Sequence, residues 1–502
     1  MPSLRRSASV ILSVIAISAL AGAPALASSS STSGTSAPSA DATGAPSAGA
    51  TTSGGATDAS GSPKPSPSPS KKPAKNKKTW PKAPAHFTPR TGVELNEPYN
   101  RNGHTQGEIR HTILASINST VHGDTILATT WNFRGWPYAD ALSNAAKRGV
   151  VVRVLIAQGN APGTTKNPEA AALRTRLQNS SKRYQARGVP ASWLRWCDGS
   201  CRGYGGILHT KMVLFDHIDN RTKNVVMYGS NNLTSTAVSN QWNDWFTLAR
   251  NADSYDFFRK VFRQMTRDHH VLNGAFLEKK IGGTRKIPLY DMNVFPYTGK
   301  TAEKAGDPIV NVLNRVRCNG ATNVAGGHTQ LRIGQDAIAG DRGMKIAGRL
   351  AQMERNGCGI RIVYTLMGDQ VHDVLKAAGI PMTHMAYDTN RDGAYDKYLH
   401  MKVMAIKGAY AGRKNAFVVT NGTANWTALP LHSDEIASVI SAPAIAKPYF
   451  KWITWLMVNR PAGWKAPDLA PVKDSTDPGI DGRRLPGMTA TSDPYRLIRG
   501  DL

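Results

Sequence analysis

Two short stretches of the chain set a histidine and a lysine two residues apart: GILHTKMVLFD, from Gly206 to Asp216, and YLHMKVMAIK, from Tyr398 to Lys407. Each reads as an apolar strand. Residues two apart on a strand share a face, so His209 points with Lys211 and His400 with Lys402. An imidazole titrates near neutrality and can move a proton or attack as a nucleophile. A neighbouring ammonium offers positive charge to an anion developing beside it. A single such pair is ordinarily a solvent-facing strand edge; two copies direct attention to the residues downstream of each.

After the first copy comes VVMYGSNNLT, with Gly229, Ser230 and Asn232. After the second comes FVVTNGTANWT, with Gly422, Thr423 and Asn425. Farther on lie NQWNDW, with Asp244, and LHSDEI, with Asp434 and Glu435. The separations match (244 − 209 = 35 and 435 − 400 = 35), and the histidines are 400 − 209 = 191 residues apart. Asp216 stands at odd separations from His209 and Lys211, which turns it away from both, so it reads as structural.

The elements that must hold these residues repeat as well. In the first half HTILASINST and YADALSNAAKRG have helical spacing, while GDTILATTWNF and VVVRVLIAQG read as strands. In the second half DPIVNVLNRVRC and GMKIAGRLAQMERNG read as helices, and TQLRIGQDAI and GIRIVYTLM as strands. The expected fold class is α/β: two similar halves, each a mixed sheet flanked by helices.

His209-x-Lys211-x4-Asp216 followed by Gly229-Ser230-x-Asn232 resembles the HKD signature of the phospholipase D superfamily. The second copy resembles it with two departures, Lys407 for the aspartate and Thr423 for the serine. The resemblance runs from about Phe87 to Trp464. It implies a first phospholipase D-like half over 86–295, a second over 296–470, and one active site at their interface. It also implies phosphodiester cleavage through a phosphohistidine, with His209 as nucleophile and His400 as general acid and base. Lys211, Lys402, Asn232 and Asn425 would stabilise the charged equatorial oxygens. Asp244 and Glu435 would each bond the far ring nitrogen of the histidine in its own half. Asp216, Gly229, Ser230, Gly422 and Thr423 complete the motifs as structural residues. No cofactor or metal is called for, because the lysines supply the positive charge.

The formal charge of +27, from 62 basic and 35 acidic residues, favours acidic partners. Part of it sits in KKPAKNKK, outside any expected fold. The substrate expected is an anionic or zwitterionic phospholipid, with peripheral membrane contact and a monomeric enzyme. Nucleic acid is the alternative substrate of the same chemistry. A catalytically inactive binder of anionic polymers is the third reading, suggested by the altered second motif.

Arg5 and Arg6, an apolar run and Ala25-Leu26-Ala27 have the form of a secretory signal over 1–27. Residues 28–85, rich in Ser, Pro and Lys, read as a disordered tether, and 471–502 as a polar tail. Secretion would place Cys197, Cys201, Cys318 and Cys358 in an oxidising compartment. Of three connectivities, Cys197–Cys201 with Cys318–Cys358 is the one expected. Three weaker features remain. DTNRDGAYD, Asp388 to Asp396, has calcium-loop spacing but lacks the closing carboxylate, and reads as a polar turn. The aromatic run Trp131, Phe133, Trp136 and Tyr138 either lines a cleft or packs strand against helix. RGYGG, before the first strand, reads as a loop beside the cleft.

Overall fold

The computed structural model describes residues 80–101, 106–161, 167–274, 276–390 and 394–461. The expected signal, nearly all of the tether and the tail lie outside them. All of the described residues fall within one compact unit, Lys77–Leu502.

The first sheet has seven strands. In spatial order they are Gly92–Leu95, Asp244–Leu248, Thr222–Gly229, Met212–Ile218, Thr125–Thr130, Val151–Ala157 and Trp193–Cys197. The last three are mutually parallel, and the other neighbours are antiparallel. Thr125–Thr130 and Val151–Ala157 read as near-continuous apolar runs because helices and strands bury both their faces. Ile109, Ile113, Leu142, Leu173 and Leu177 of three helices, Glu108–Asn118, Trp136–Lys147 and Pro168–Tyr184, pack on one face. Helix Ala252–Met265 covers part of the other face with Tyr255, Phe258, Phe262 and Met265. Two of these helices start where an asparagine side chain accepts a backbone N–H: Asn167 from Ala170 and Asn251 from Ser254.

The second sheet repeats the plan. Leu289–Val294, Ala437–Ser441, Arg413–Gly422, Lys402–Tyr410, Gln330–Ile338, Gly359–Met367 and Met382–His384 follow one another in the same order and sense, with Leu277–Ile281 added at the edge. The passage between sheets therefore falls between Met265 and Leu277, ahead of the boundary expected at 295. Which sheet a strand joins depends on its partner: Leu289–Val294 pairs with Ala437–Ser441, about 150 residues away in sequence, which local patterning does not reveal.

The halves share one core. Leu208, Met212 and Phe246 of the first pack in the same apolar cluster as Met401, Val403 and Trp452 of the second. Backbone pairing stitches the seam in two places. Gln241–Trp242 runs parallel to Lys397–Leu399, and Leu208 bridges Asp434. The disulfides are Cys197–Cys201 and Cys318–Cys358, the expected pairing. Among the described residues no helix is long and apolar enough to cross a membrane.

Candidate active site

Both histidines lie on the seam. His209 precedes strand Met212–Ile218, and His400 falls between Lys397–Leu399 and Lys402–Tyr410, so neither is inside a regular strand. The pattern of the apolar runs suggested otherwise. The difference arises because each backbone is given to the opposite half: His209 N–H donates to the Asp434 carbonyl (3.1 Å) and His400 N–H to the Trp242 carbonyl (3.0 Å). Lys211 Nζ donates to the His209 carbonyl (2.8 Å), and Lys402 Nζ to the His400 carbonyl (2.7 Å). All four residues are buried.

The ring partners cross over. His209 Nδ1 lies 2.8 Å from Glu435 Oε1, and His400 Nδ1 lies 2.9 Å from Asn243 Oδ1. Each imidazole is held by the other half, which corrects the expectation that Asp244 serves His209 and Glu435 serves His400. The equivalent of Glu435 is Asn243. Thr423 Oγ1 donates to Glu435 Oε2 and takes the N–H of Ile436; Ser230 Oγ donates to Asn243 Oδ1 (2.8 Å) and takes the N–H of Asp244 (3.0 Å). The matching spacing of 35 was thus one residue out of step.

Asp244 points to the other side of its strand and accepts from Tyr449 Oη (2.8 Å). Burial pushes its carboxyl up to about 6. It ties the seam and does not face either ring.

The glycines make this arrangement possible. A Cβ on Gly229 would lie 2.2 Å from the Asp244 carbonyl oxygen, and one on Gly422 would lie 2.0 Å from that of Ile436. Only with bare backbone there can Ser230 N–H and Thr423 N–H reach the same carbonyls, at 3.0 and 2.9 Å.

The hydrogen-bond network determines the tautomers. Asn243 Nδ2 donates to the Ala237 carbonyl (3.0 Å) and Gln241 Oε1 (3.0 Å), so Oδ1 must face His400. His400 Nδ1 therefore carries a proton. Glu435 accepts from His209 Nδ1–H in the same way. In each neutral ring Nε2 keeps its lone pair. Burial is the largest influence on both. It lowers His209 to about 4 against the upward pull of Glu435, and drops His400 well below the ordinary value, helped by Lys402, Lys211 and His209. The charges of Lys211 and Lys402 thus act on both rings across the seam. Burial alone would raise the Glu435 carboxyl, but His209, Lys211 and Thr423 together hold it below the ordinary range.

Asn232 Oδ1 accepts from Thr130 Oγ1 (3.3 Å) and Asn132 N–H (3.2 Å). Asn425 Nδ2 donates to Asp336 Oδ2 (3.4 Å), which also pairs with Lys402 Nζ (3.1 Å). Asp336 was not singled out in the sequence. It follows Gln335, the residue opposite Lys402 in the sheet, just as Trp131 follows Thr130. The halves therefore differ here: a carboxylate lies beside Lys402, and an indole stands 5.6 Å from the His209 ring and 5.9 Å from Lys211 Nζ. Trp131 is the member of the aromatic run that lines the site. Phe133 and Tyr138 are core residues, and Trp136 is exposed beneath Arg176.

Asp216 faces away, accepting the N–H of Thr125 (2.6 Å) and of His217 (2.7 Å). Lys407, opposite Gln330, takes the same place in the second sheet. In the DTNRDGAYD stretch, 391–393 lie outside the described residues; Asp396 closes a turn on Thr389 N–H and Oγ1 (2.8 and 2.6 Å).

Residues 113–266 match the family model described as cardiolipin synthase, PLD-like domain. Those residues, which include His209 and Lys211 of the first half, are thus similar to a phospholipase D-like domain. Three solved structures are similar to the chain. Polyphosphate kinase from Porphyromonas gingivalis is 15% identical over 77% of this chain and 54% of its own, with a TM-score of 0.48, so the chain spans about half of that kinase. Phosphatidylserine synthase from Haemophilus influenzae is 11% identical over 73% and 86%, with a TM-score of 0.47. The phospholipase D family member Nuc from Salmonella typhimurium is 22% identical over 36% and 100%, with a TM-score of 0.26. No curated protein matches the sequence.

Proposed function

We propose that the protein is a secreted phospholipase D-type enzyme that hydrolyses head-group phosphodiesters of phospholipids. The observation that carries the chemistry is the reciprocal bracing of His209 Nδ1 by Glu435 and of His400 Nδ1 by Asn243, which orients two imidazoles from the two halves on one seam. When the anionic phosphodiester binds beside Lys211 and Lys402, His400 Nε2 takes a proton from solvent; His209 Nε2 then attacks phosphorus, and the bond to the leaving alcohol breaks as His400 Nε2–H gives that oxygen this proton. His400 then takes a proton from water, the hydroxide displaces His209 from phosphorus, and a phosphomonoester leaves. Lys211 and Lys402 face the transferring group, and its negative charge offsets the mutual repulsion that holds His400 neutral.

Lipid is favoured by the surface beside the loop that leads to His209. Tyr204 and Leu272 are 62% and 68% exposed, and their segments are joined by the hydrogen bond from Val271 N–H to the Arg202 carbonyl (2.9 Å). Large apolar side chains held at the surface suit a lipid interface better than a nucleic acid backbone. Secretion rests on the signal-like N-terminus, and the two disulfides accord with it. The test incubates purified protein, in chelator, with phosphatidylcholine vesicles and separately with plasmid DNA. Release of choline with intact plasmid is expected. Cleavage of DNA alone transfers the assignment to the nuclease reading, and inertness toward both leaves the polymer-binding one.

A further inference from the structure

A second site lies at the opposite end of the first sheet. A cavity of about 630 Å³ opens between the sheet and helix Ala252–Met265. Thr125, Val151 and Trp193, the first residues of their strands, line it. Thr130, which bonds Asn232 in the candidate active site, is five residues farther along the same strand as Thr125. At about 3.3 Å per residue the cavity is roughly 16 Å from that site.

Four arginines line the cavity: Arg153, Arg195, Arg259 and Arg263. Arg259 is committed to Asp256 (2.9 Å). Arg195 lies over the Trp193 ring at 4.6 Å, which holds its guanidinium in place. Arg153 Nε donates to the Ala191 carbonyl (3.3 Å). Among the described residues none of Arg153, Arg195 and Arg263 forms an ion pair with a carboxylate. The other acid of the lining, Asp216, is occupied by the N–H groups of Thr125 and His217. Burial lowers Arg153, and Arg195 and Arg263 lower it further, so the three charges repel one another across the cavity. Four guanidiniums against two carboxylates leave the lining net positive, and such a concave space is stabilised when an anion enters. Three forked donors converging on one space suit phosphate oxygens better than a singly charged group.

We infer that this cavity is an accessory phosphate-binding site, distinct from the catalytic seam, whose ligand is a multiply charged phosphate. The inference does not depend on which phosphodiester the catalytic site hydrolyses. Calorimetric titration of the full chain with inorganic pyrophosphate tests it, comparing wild type with Arg195→Gln/Arg263→Gln, two exposed positions where glutamine keeps the bulk. The double variant is expected to bind one equivalent fewer than wild type, or that equivalent at least tenfold more weakly, with unchanged turnover of a soluble phosphodiester. His209→Ala should keep the accessory equivalent. Long-chain polyphosphate as a second titrant separates the sources: much tighter, steeply salt-dependent binding identifies a polymer, and parity with pyrophosphate identifies a free anion. Equal stoichiometry and affinity in wild type and double variant would overturn the site.

Discussion

Replacing Glu435 separates the charge of the His209 partner from its hydrogen bond. In Glu435→Gln the amide nitrogen can turn toward Thr423, whose hydroxyl rotates to accept, while the amide oxygen keeps His209 Nδ1–H. The tautomer survives and only the charge is lost. A hydrogen bond to a charged group contributes roughly 1.5–3 kcal/mol and a neutral one about 0.5–1.5, so the expected loss is about 1.5 kcal/mol, or roughly tenfold in kcat/KM. Glu435→Ala strands two buried donors, Nδ1–H of His209 and the hydroxyl of Thr423. At about 1–3 kcal/mol each it should lower kcat/KM by roughly 10²–10³-fold. The pH profile adds a readout that a packing role would not move. With His209 lowered to about 4, the free enzyme keeps a neutral nucleophile above that pH, and the acid limb of kcat/KM should lie near 4, not 6.5. Glu435 pulls His209 upward, so Glu435→Gln should shift the limb to still lower pH. Steady-state kinetics from about pH 3.5 to 8, with circular dichroism to verify folding, measures wild type and both variants. A folded Glu435→Ala enzyme within threefold of wild type would refute the reasoning, because the carboxylate would then not position His209.

His209→Ala and His400→Ala should each remove nearly all turnover, and the double variant should be little worse than either, since in the proposed mechanism the two act on one phosphate; additive losses in single-turnover assays would count against a shared site. Lys407→Asp should change kcat/KM less than threefold, because position 407 pairs with Gln330 on the side away from the histidines; a hundredfold change would contradict that geometry. Cys197→Ser/Cys201→Ser should cost about 2 kcal/mol in urea unfolding for the small loop it opens. It should also lower kcat several-fold, because Ser200 Oγ and Cys201 N–H hold the Asp434 carboxylate next to Glu435; unchanged kcat would show that the loop does not steady that segment.

The chemistry-bearing residue types and most of the elements around them were legible in the chain alone. Apolar periodicity located the helix at 108–118 and the strands at 125–130, 330–338 and 359–367. Two His-x-Lys pairs with downstream Gly, hydroxyl and Asn marked a duplicated site, and odd spacing turned Asp216 and Lys407 away from it. These are short-range signals, written in residues one or two turns or pleats apart.

What faces each imidazole was decided only by the fold. From His209 to Ser230 is 21 residues and from His400 to Thr423 is 23, while Ser230 to Asn243 is 13 and Thr423 to Glu435 is 12. These unequal connections nearly cancel, so equal spacing singled out Asp244 when its neighbour Asn243 occupies the position. In a strand a one-residue error moves a side chain to the opposite face, which is why Asp244 bonds Tyr449 and Asn243 bonds His400. The exchange of partners between halves, Glu435 to His209 and Asn243 to His400, spans 226 and 157 residues of chain. It results from seam pairings at Leu208–Asp434 and Leu399–Trp242. Asp336 and Trp131 likewise reach the site because strand ends from different parts of the chain converge there. Such contacts depend on packing in three dimensions, and neither composition nor local periodicity encodes which distant strand ends will meet.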